Sequence, residues 1–152
     1  MAKTLSAAVR WTSRMHFEGS SEFASEVPID HAPPLGTGEG IKPTELTLMS
    51  LAACSGQTVI SLLEKMRQNV AAFTVRADAD KREDHPQVFT AIRLEFRIEG
   101  KDLDQALIDK AVRLTEEKYC PVWAMLKNGV AISSSIKIEE SKVGFADRDK
   151  VL

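Results

Sequence analysis

The two cysteines of this chain are the residues whose side chains and sequence surroundings are suited to a chemical reaction. Cys54 lies among small residues in the segment LAACSG, within a mostly apolar run, and Cys120 directly precedes a proline in KYCPVWAML. In the cytoplasm, where thiols are kept reduced, two such cysteines are expected to stay free or to pair transiently. Reversible thiol oxidation is therefore the chemistry that they indicate, in preference to a structural disulfide.

Cys120 has the setting of a helix N-cap. Pro121 suits the first turn of a helix, so the preceding sulfur can accept backbone N–H groups at the positive end of the helix dipole, with Lys118 nearby. This setting favours a thiolate. A buried cysteine that only fills space is the alternative, and from local features the two interpretations weigh about equally.

Cys54 is predicted to lie in the middle of a long helix, where the helix dipole gives it little help. Its reactivity would require a partner from elsewhere in the structure, such as an arginine. Glu45 lies on the same predicted helix, nine residues earlier, which places it about 180° away around the axis. From the residues alone, helix packing for Cys54 and a simple N-terminal charge for Glu45 are the favoured interpretations.

Metal and phosphate sites are not indicated by the sequence. His16, His31 and His85 fall on a predicted strand, loop and hairpin without ligand-like spacing. The glycine-rich segment GTGEG is not followed by the Lys-Ser/Thr pair of a phosphate loop. Asp30 and His31 could line a pocket, but surface positions in a loop are the favoured interpretation for both.

The composition predicts one globular domain without an electrostatic preference for nucleic acid or membranes. The chain has 152 residues, 43% of them hydrophobic, and a formal net charge of −2. The N-terminal segment lacks the apolar stretch of a signal peptide, so a cytoplasmic location is expected. Leu46–Leu63 contains no charge, but polar side chains interrupt it and Glu45 and Glu64 close it, which favours a buried helix over a membrane span.

The N-terminal third is predicted to form a meander, a loop and a long helix. Alternating side chains from Leu5 to Ile29 predict three short strands, of which the first is expected to be half-buried. Prolines and glycines make Asp30–Lys42 a loop. Pro43 begins a helix predicted to extend to about Gln68, whose apolar residues cover more than one face. A second subunit is therefore expected to supply part of its cover.

The rest of the chain is predicted to form an antiparallel sheet that helices cover on one side. Phe73–Asp80 and Ile92–Glu99 alternate as strands of a hairpin, and Asp102 or Asp104 can cap the helix that follows. The later predicted elements are a helix over about 103–118, a short helix over about 121–128, a strand over 130–138 and a polar tail over 141–152.

Two segments together resemble the OsmC/Ohr superfamily in its OsmC-like branch. They are GIKPTELTLMSLAACSGQTVISLLEK, from Gly40, and LTEEKYCPVWAML, from Leu114. The resemblance extends over most of the chain and implies a single OsmC-like domain over 1–152, with a core of about 5–139. It further implies an α+β fold, the OsmC-like α/β fold, in which two chains interlock as a homodimer with the cysteine-bearing helices at the centre.

The resemblance also implies an activity, thiol-dependent reduction of organic hydroperoxides in oxidative stress defence. Cys54 matches the peroxidatic cysteine of the family and Cys120 the resolving one, which reverses the ranking from local features. Ohr enzymes activate the first thiol with an arginine held by a glutamate. Here Glu45 stands one position beyond the matching place, and Arg14 is the nearest candidate for the arginine, with Arg10 the other.

The same resemblance implies the partners. These are an organic hydroperoxide, a dithiol reductant of the dihydrolipoyl type and a second copy of the chain, with no bound cofactor, nucleic acid or membrane. Two other functions stay open. The cleft at the subunit interface could bind a small ligand or a partner without catalysis, or a disulfide between Cys54 and Cys120 could report oxidation as a redox sensor.

Overall fold

A computed structural model describes residues 3–141 and divides the chain into two compact units. The N-terminal unit extends to Thr47, and the second unit begins at Leu48. Apart from Ser141, the predicted polar tail lies outside the described residues.

The N-terminal unit contains a three-stranded antiparallel sheet in the order β1-β2-β3, as predicted. Its register pairs Trp11 with Phe17, and Phe17 with Ile29. The expectation that β1 is half-buried is wrong, because every residue of this strand is exposed and, within its sheet, it contacts only β2. The strands are β1 (Ala7–Ser13), β2 (His16–Ser21) and β3 (Val27–Ile29).

The loop after β3 is organised by the buried carboxylate of Asp30. Its Oδ2 accepts the Thr37 hydroxyl at 2.7 Å, the Thr37 N–H at 2.9 Å and the Gly38 N–H at 3.1 Å, and its Oδ1 accepts the His31 N–H at 2.7 Å. These bonds, above all the Thr37 hydroxyl, hold the pKa of Asp30 well below its usual range. The expected surface position is therefore wrong for Asp30, which has a structural role.

The long helix α1 comprises Pro43–Lys65 and carries Cys54 in its middle, as predicted. It ends before the predicted Gln68 because Arg67 adopts a left-handed backbone with φ of 57°. By length and composition, α1 is the one helix in the described part of the chain that could cross a membrane, although the core helix of a soluble protein meets the same criterion.

The second unit contains a sheet in the order β4-β5-β6. β4 (Asn69–Lys81) and β5 (Phe89–Lys101) form the predicted antiparallel hairpin. The expectation of a wholly antiparallel sheet is wrong for β6 (Ala131–Glu140), which pairs with β5 in parallel. The chain leaves β5 at its end and returns through helices to its start, the crossover that parallel neighbours require.

The two faces of this sheet differ in chemistry, as the alternation predicted. Buried residues of β5, among them Leu94 and Phe96, pack in one core with residues of the helices. The opposite face carries ion pairs, including Arg93 with Asp80 at 2.6 Å. The helical members of the core are Leu51, Val59, Leu63, Ile108, Ala111, Val112 and Trp123.

The crossover between β5 and β6 contains three helical segments. Asp104 is the N-cap of the first, its Oδ1 accepting the Ala106 N–H at 2.9 Å, whereas Asp102, the other predicted cap, precedes the helix in a left-handed conformation. A π-helical turn interrupts the predicted helix over 103–118. The segments are α2 (Gln105–Leu114), the π-helical turn (Thr115–Tyr119) and α3 (Pro121–Leu126).

Candidate active site

Cys120 is the N-cap of α3, as predicted. Its sulfur accepts the Trp123 N–H at 3.3 Å, and its own N–H donates to the Thr115 carbonyl at 3.0 Å, which closes the π-helical turn. The Ser55 hydroxyl of α1 lies 3.4 Å from the same sulfur, and both side chains are buried. Cys120 is therefore held between the start of α3 and the middle of α1.

Cys54 is partly exposed and lies beside Cys120, and both thiols are free. The Cys120 thiol and the Val122 backbone N–H at the start of α3 are the groups near enough to its sulfur to influence its pKa. Residues far apart in sequence thus meet because α3 begins against α1. The structure brings together the two cysteines that the sequence singled out.

Burial raises the pKa of the Cys54 thiol. The Val122 N–H opposes this effect by stabilising the thiolate, whereas the neighbouring Cys120 thiol raises the pKa further. Without a further partner, Cys54 is therefore the neutral thiol at pH 7. This result agrees with the expectation from its mid-helix position that the thiol needs an activator.

A cavity of about 470 Å³ opens at Cys54. Four of its residues, Cys54, Thr58, Ser61 and Lys65, follow one face of α1 at the spacing i, i+4, i+7 and i+11. The remaining lining residues are Gln57, Leu62 and Tyr119. Because both polar and apolar side chains line the cavity beside a partly exposed thiol, the cavity suits a small organic molecule with one reactive polar group.

Several residues of this site were not predicted from the sequence. Thr58 and Lys65 could have been found, because helical spacing places them on the face of Cys54. Ser55 and Val122 contact the thiols only through tertiary packing, which no local pattern reveals. Tyr119 reaches the cavity from a π-helical turn that the hydrophobic pattern does not distinguish from an α-helix.

Glu45 and Arg14 lie in the N-terminal unit, where each binds another group. The Glu45 carboxylate accepts the Lys42 N–H at 3.0 Å at the start of α1. Arg14 occupies the turn between β1 and β2 with φ of 47° and donates to the Pro34 carbonyl at 2.9 Å. Arg10, the alternative candidate, forms an ion pair with a glutamate of β2. The activating roles of Glu45 and Arg14 stay predictions.

The described residues offer no metal site of the usual kind. Within residues 3–141, no group of three or more His, Cys, Asp or Glu side chains could hold a metal ion. Of the predicted non-ligand histidines, His16 begins β2, and the Nδ1 of His31 lies 3.2 Å from the Ala32 carbonyl oxygen, to which it donates in the tautomer that carries the proton on Nδ1.

A mixed α+β fold with one free thiol at a cavity and a second, buried thiol beside it defines a class of thiol proteins. Comparison with known sequences gives the family. The model of the family described as OsmC-like protein matches residues 36–135. The chain belongs to the OsmC-like family, which confirms the resemblance seen in the two cysteine segments.

Individual relatives agree with this assignment. Protein YhfA of Escherichia coli strain K12 is 35% identical over 135 residues, which cover 88% of this chain and 98% of YhfA. The OsmC-like protein from Mycoplasma pneumoniae shares the fold with a TM-score of 0.80 at 15% identity, covering 91% of this chain and 99% of that one. The organic hydroperoxide resistance protein OhrB of Bacillus subtilis has a TM-score of 0.59 at 20% identity, with 89% and 98% covered.

Proposed function

We propose that this protein reduces organic hydroperoxides through Cys54 and Cys120. The observation that carries the proposal is a pair of neighbouring free thiols, of which Cys54 lines a cavity and Cys120 is buried. Family membership supports it, since a protein of the same fold, OhrB, is described as an organic hydroperoxide resistance protein. The proposed location is the cytoplasm, where a dithiol can return both cysteines to the reduced state.

The burial of the two cysteines supports their separate roles. Cys54 lines the cavity and can contact the hydroperoxide, whereas Cys120 is buried. The Cys54 thiolate attacks the terminal oxygen, so that an S–O bond forms, the O–O bond breaks and an alcohol leaves. Cys120 then attacks the sulfenic sulfur, and the S–S bond forms as water leaves. A dithiol reductant restores both thiols by exchange.

The raised pKa of Cys54 makes an activating cation part of the proposal. The family resemblance makes Arg14 the nearest candidate for that role, with Arg10 the other, and Glu45 the residue that would hold the arginine. Replacing Arg14 by Gln is then expected to slow the oxidation of Cys54 by about tenfold or more, because the thiolate loses a charged partner. Stopped-flow fluorescence would follow this step, since the backbone N–H of Trp123 contacts the sulfur of the neighbouring Cys120.

The change Arg10→Gln is the matched control for Arg14→Gln, because Arg10 is exposed and paired with its neighbouring strand. Equal slowing of both variants would contradict a specific role for Arg14. Slowing of Arg10→Gln alone would transfer the role to Arg10.

The central experiment mixes the reduced protein with one equivalent of cumene hydroperoxide and measures peroxide loss and thiol count. We expect the wild type to consume peroxide and to lose both thiols. The variant Cys54→Ser should leave the peroxide intact, and Cys120→Ser should oxidise Cys54 without forming the intramolecular disulfide. If wild type and Cys54→Ser are equally inert, the peroxidase function is wrong and a ligand-binding function gains support.

A redox sensor is the second candidate, and the raised pKa of Cys54 is the observation that favours it. A thiol that is mostly neutral reacts slowly, which suits a sensor that responds once to strong oxidation. Sustained turnover with dihydrolipoamide would support the enzyme. A single round of disulfide formation that dihydrolipoamide does not reverse would support the sensor.

We also propose that the protein is a homodimer with α1 at the interface. Only 28% of the most apolar window of α1 is buried within the chain. On another side of this helix, small and apolar residues form a groove of about 480 Å³. A second copy of the chain, as the family resemblance implies, would cover this surface. Its lining residues are Met49, Ala52, Ala53, Gly56, Gln57, Ile60, Phe73 and Val75.

A further inference from the structure

Tyr119 combines three features that the proposed reaction does not yet use. Its side chain lines the cavity at Cys54 and is 46% exposed. The Lys118 ammonium lies 5.2 Å from the centre of its ring, a cation–π contact that orients the phenol. Within residues 3–141, the Tyr119 hydroxyl makes no hydrogen bond. A phenol donor is thus available where the hydroperoxide would bind.

The reaction at Cys54 creates a demand for a proton. When the thiolate takes the terminal oxygen of a hydroperoxide, the electron pair of the O–O bond stays on the other oxygen as an alkoxide. An alkyl alkoxide is a strong base, and a positioned acid that protonates it as it leaves typically accelerates such a step by about 10²–10⁴-fold. Cys54 itself has already lost its proton at this stage.

The other groups of the cavity are less suited to protonate the alkoxide. The Thr58 hydroxyl donates to the Cys54 carbonyl at 3.0 Å, so its proton is engaged. Ser61 and Lys65 lie seven and eleven residues beyond Cys54 on α1, about 10 Å and 16 Å along the axis. Tyr119 lines the cavity together with Cys54 and directly precedes Cys120, the neighbour of Cys54.

We infer that Tyr119 is a catalytic residue whose hydroxyl donates the proton to the departing alkoxide during attack by Cys54. This inference rests on the proposed peroxidase function. The Cys54 thiol first loses its proton to solvent, the S–O bond forms as the O–O bond breaks, and the phenol proton passes to the alkoxide to give the alcohol. The exposed phenolate then recovers a proton from solvent, so the step yields one sulfenic acid and one alcohol from one thiol and one hydroperoxide.

The test varies the basicity of the leaving group. Alkyl hydroperoxides such as cumene hydroperoxide expel a strongly basic alkoxide, whereas a peracid such as peracetic acid expels a weakly basic carboxylate that needs no proton. The variant Tyr119→Phe should oxidise Cys54 at least about tenfold more slowly with cumene hydroperoxide and within about twofold of wild type with peracetic acid. Phenylalanine keeps the ring and its contact with Lys118, so the fold is preserved.

The change Ser133→Ala is the control, because Ser133 is exposed on β6 and does not line the cavity at Cys54. It should leave both rates unchanged. Equal slowing of Tyr119→Phe with both oxidants would overturn the inference in favour of a packing role, and no slowing with either would show that solvent supplies the proton. A wild type that reacts with peracetic acid but not with cumene hydroperoxide would overturn the proposed function, and the inference with it.

Discussion

The raised pKa of the Cys54 thiol keeps its sulfur mostly neutral at pH 7. Partial burial is the main cause of its raised pKa, and the Cys120 thiol adds to it. The same contact places the resolving sulfur where a sulfenic acid would form. A thiol with a raised pKa reacts more slowly at pH 7 but gains reactivity over a more alkaline range than an ordinary cysteine.

The pH dependence of Cys54 alkylation tests this view. With iodoacetamide, the rate should rise with pH and reach its midpoint above the ordinary cysteine range, because the reactive thiolate forms only above the raised pKa. In Cys120→Ala the midpoint should fall but stay above that range, since burial, the larger cause, is retained. Peptide mass spectrometry would measure the modified fraction of Cys54. A midpoint below the ordinary range in wild type would contradict the burial argument.

Ser55 is expected to position Cys120 for the second step. Its hydroxyl lies 3.4 Å from the Cys120 sulfur inside the core. Losing one buried hydrogen bond costs about 0.5–1.5 kcal/mol, so Ser55→Ala should slow disulfide formation by about three- to tenfold. The preceding oxidation of Cys54 should stay near the wild-type rate, which a general loss of structure would not allow.

The lifetime of the sulfenic acid, trapped with dimedone, would report the effect of Ser55→Ala. Ser61→Ala serves as the control, since Ser61 lies on α1 but lines the cavity instead of contacting Cys120. An unchanged lifetime in Ser55→Ala would mean that Trp123 N–H and packing suffice to position Cys120.

Among the elements, those governed by local chemistry were predictable from the sequence. Pro121 and the preceding cysteine correctly predicted the start of α3, and Pro43 the start of α1, because helix termini are determined by neighbouring residues. The π-helical turn was not predictable, since its apolar spacing is consistent with a continuous α-helix. This turn matters for the site, because it precedes Cys120 and brings Tyr119 to the cavity.

Local sequence pattern could predict neither the proximity of the two thiols nor the parallel pairing of β6. The physical reason is the same for both. Both depend on how the crossover from β5 returns across the sheet. The alternation in β6 was evident, but its parallel direction follows from the path of α2 and α3. Family resemblance paired Cys54 with Cys120, whereas the residues alone left helix packing as the favoured interpretation for Cys54.

The cap of α2 gives an element-scale prediction with a matched control. Asp104 accepts two backbone N–H groups at the start of α2, so Asp104→Ala should lower the free energy of unfolding by about 1 kcal/mol. Asp102→Asn should have little effect, because asparagine tolerates the left-handed backbone there. Urea denaturation would measure both variants. Equal destabilisation by both substitutions would mean that the N-cap hydrogen bonds of Asp104 do not explain its contribution to stability.

At the scale of the whole molecule, the uneven burial of α1 is the feature that a single chain does not explain. One side of the helix contributes Leu51, Val59 and Leu63 to the core, whereas Met49 is 51% exposed beside the groove. Small side chains such as those of Ala52 and Ala53 in that groove would allow close approach of another helix. An apolar groove of this kind on a core helix is typical of a surface that another protein covers.

The oligomeric state tests this interpretation directly. We expect light scattering at micromolar concentration to give about twice the chain mass of 16.8 kDa. Ala53→Glu should shift the protein toward the single-chain mass, because it places a charge in the apolar groove without touching the core side of α1. Lys101→Glu, at the exposed end of β5, is the control and should stay dimeric. A wild type of 16.8 kDa would contradict the dimer, and an Ala53→Glu variant that folds normally and keeps the dimeric mass would contradict an interface at this groove.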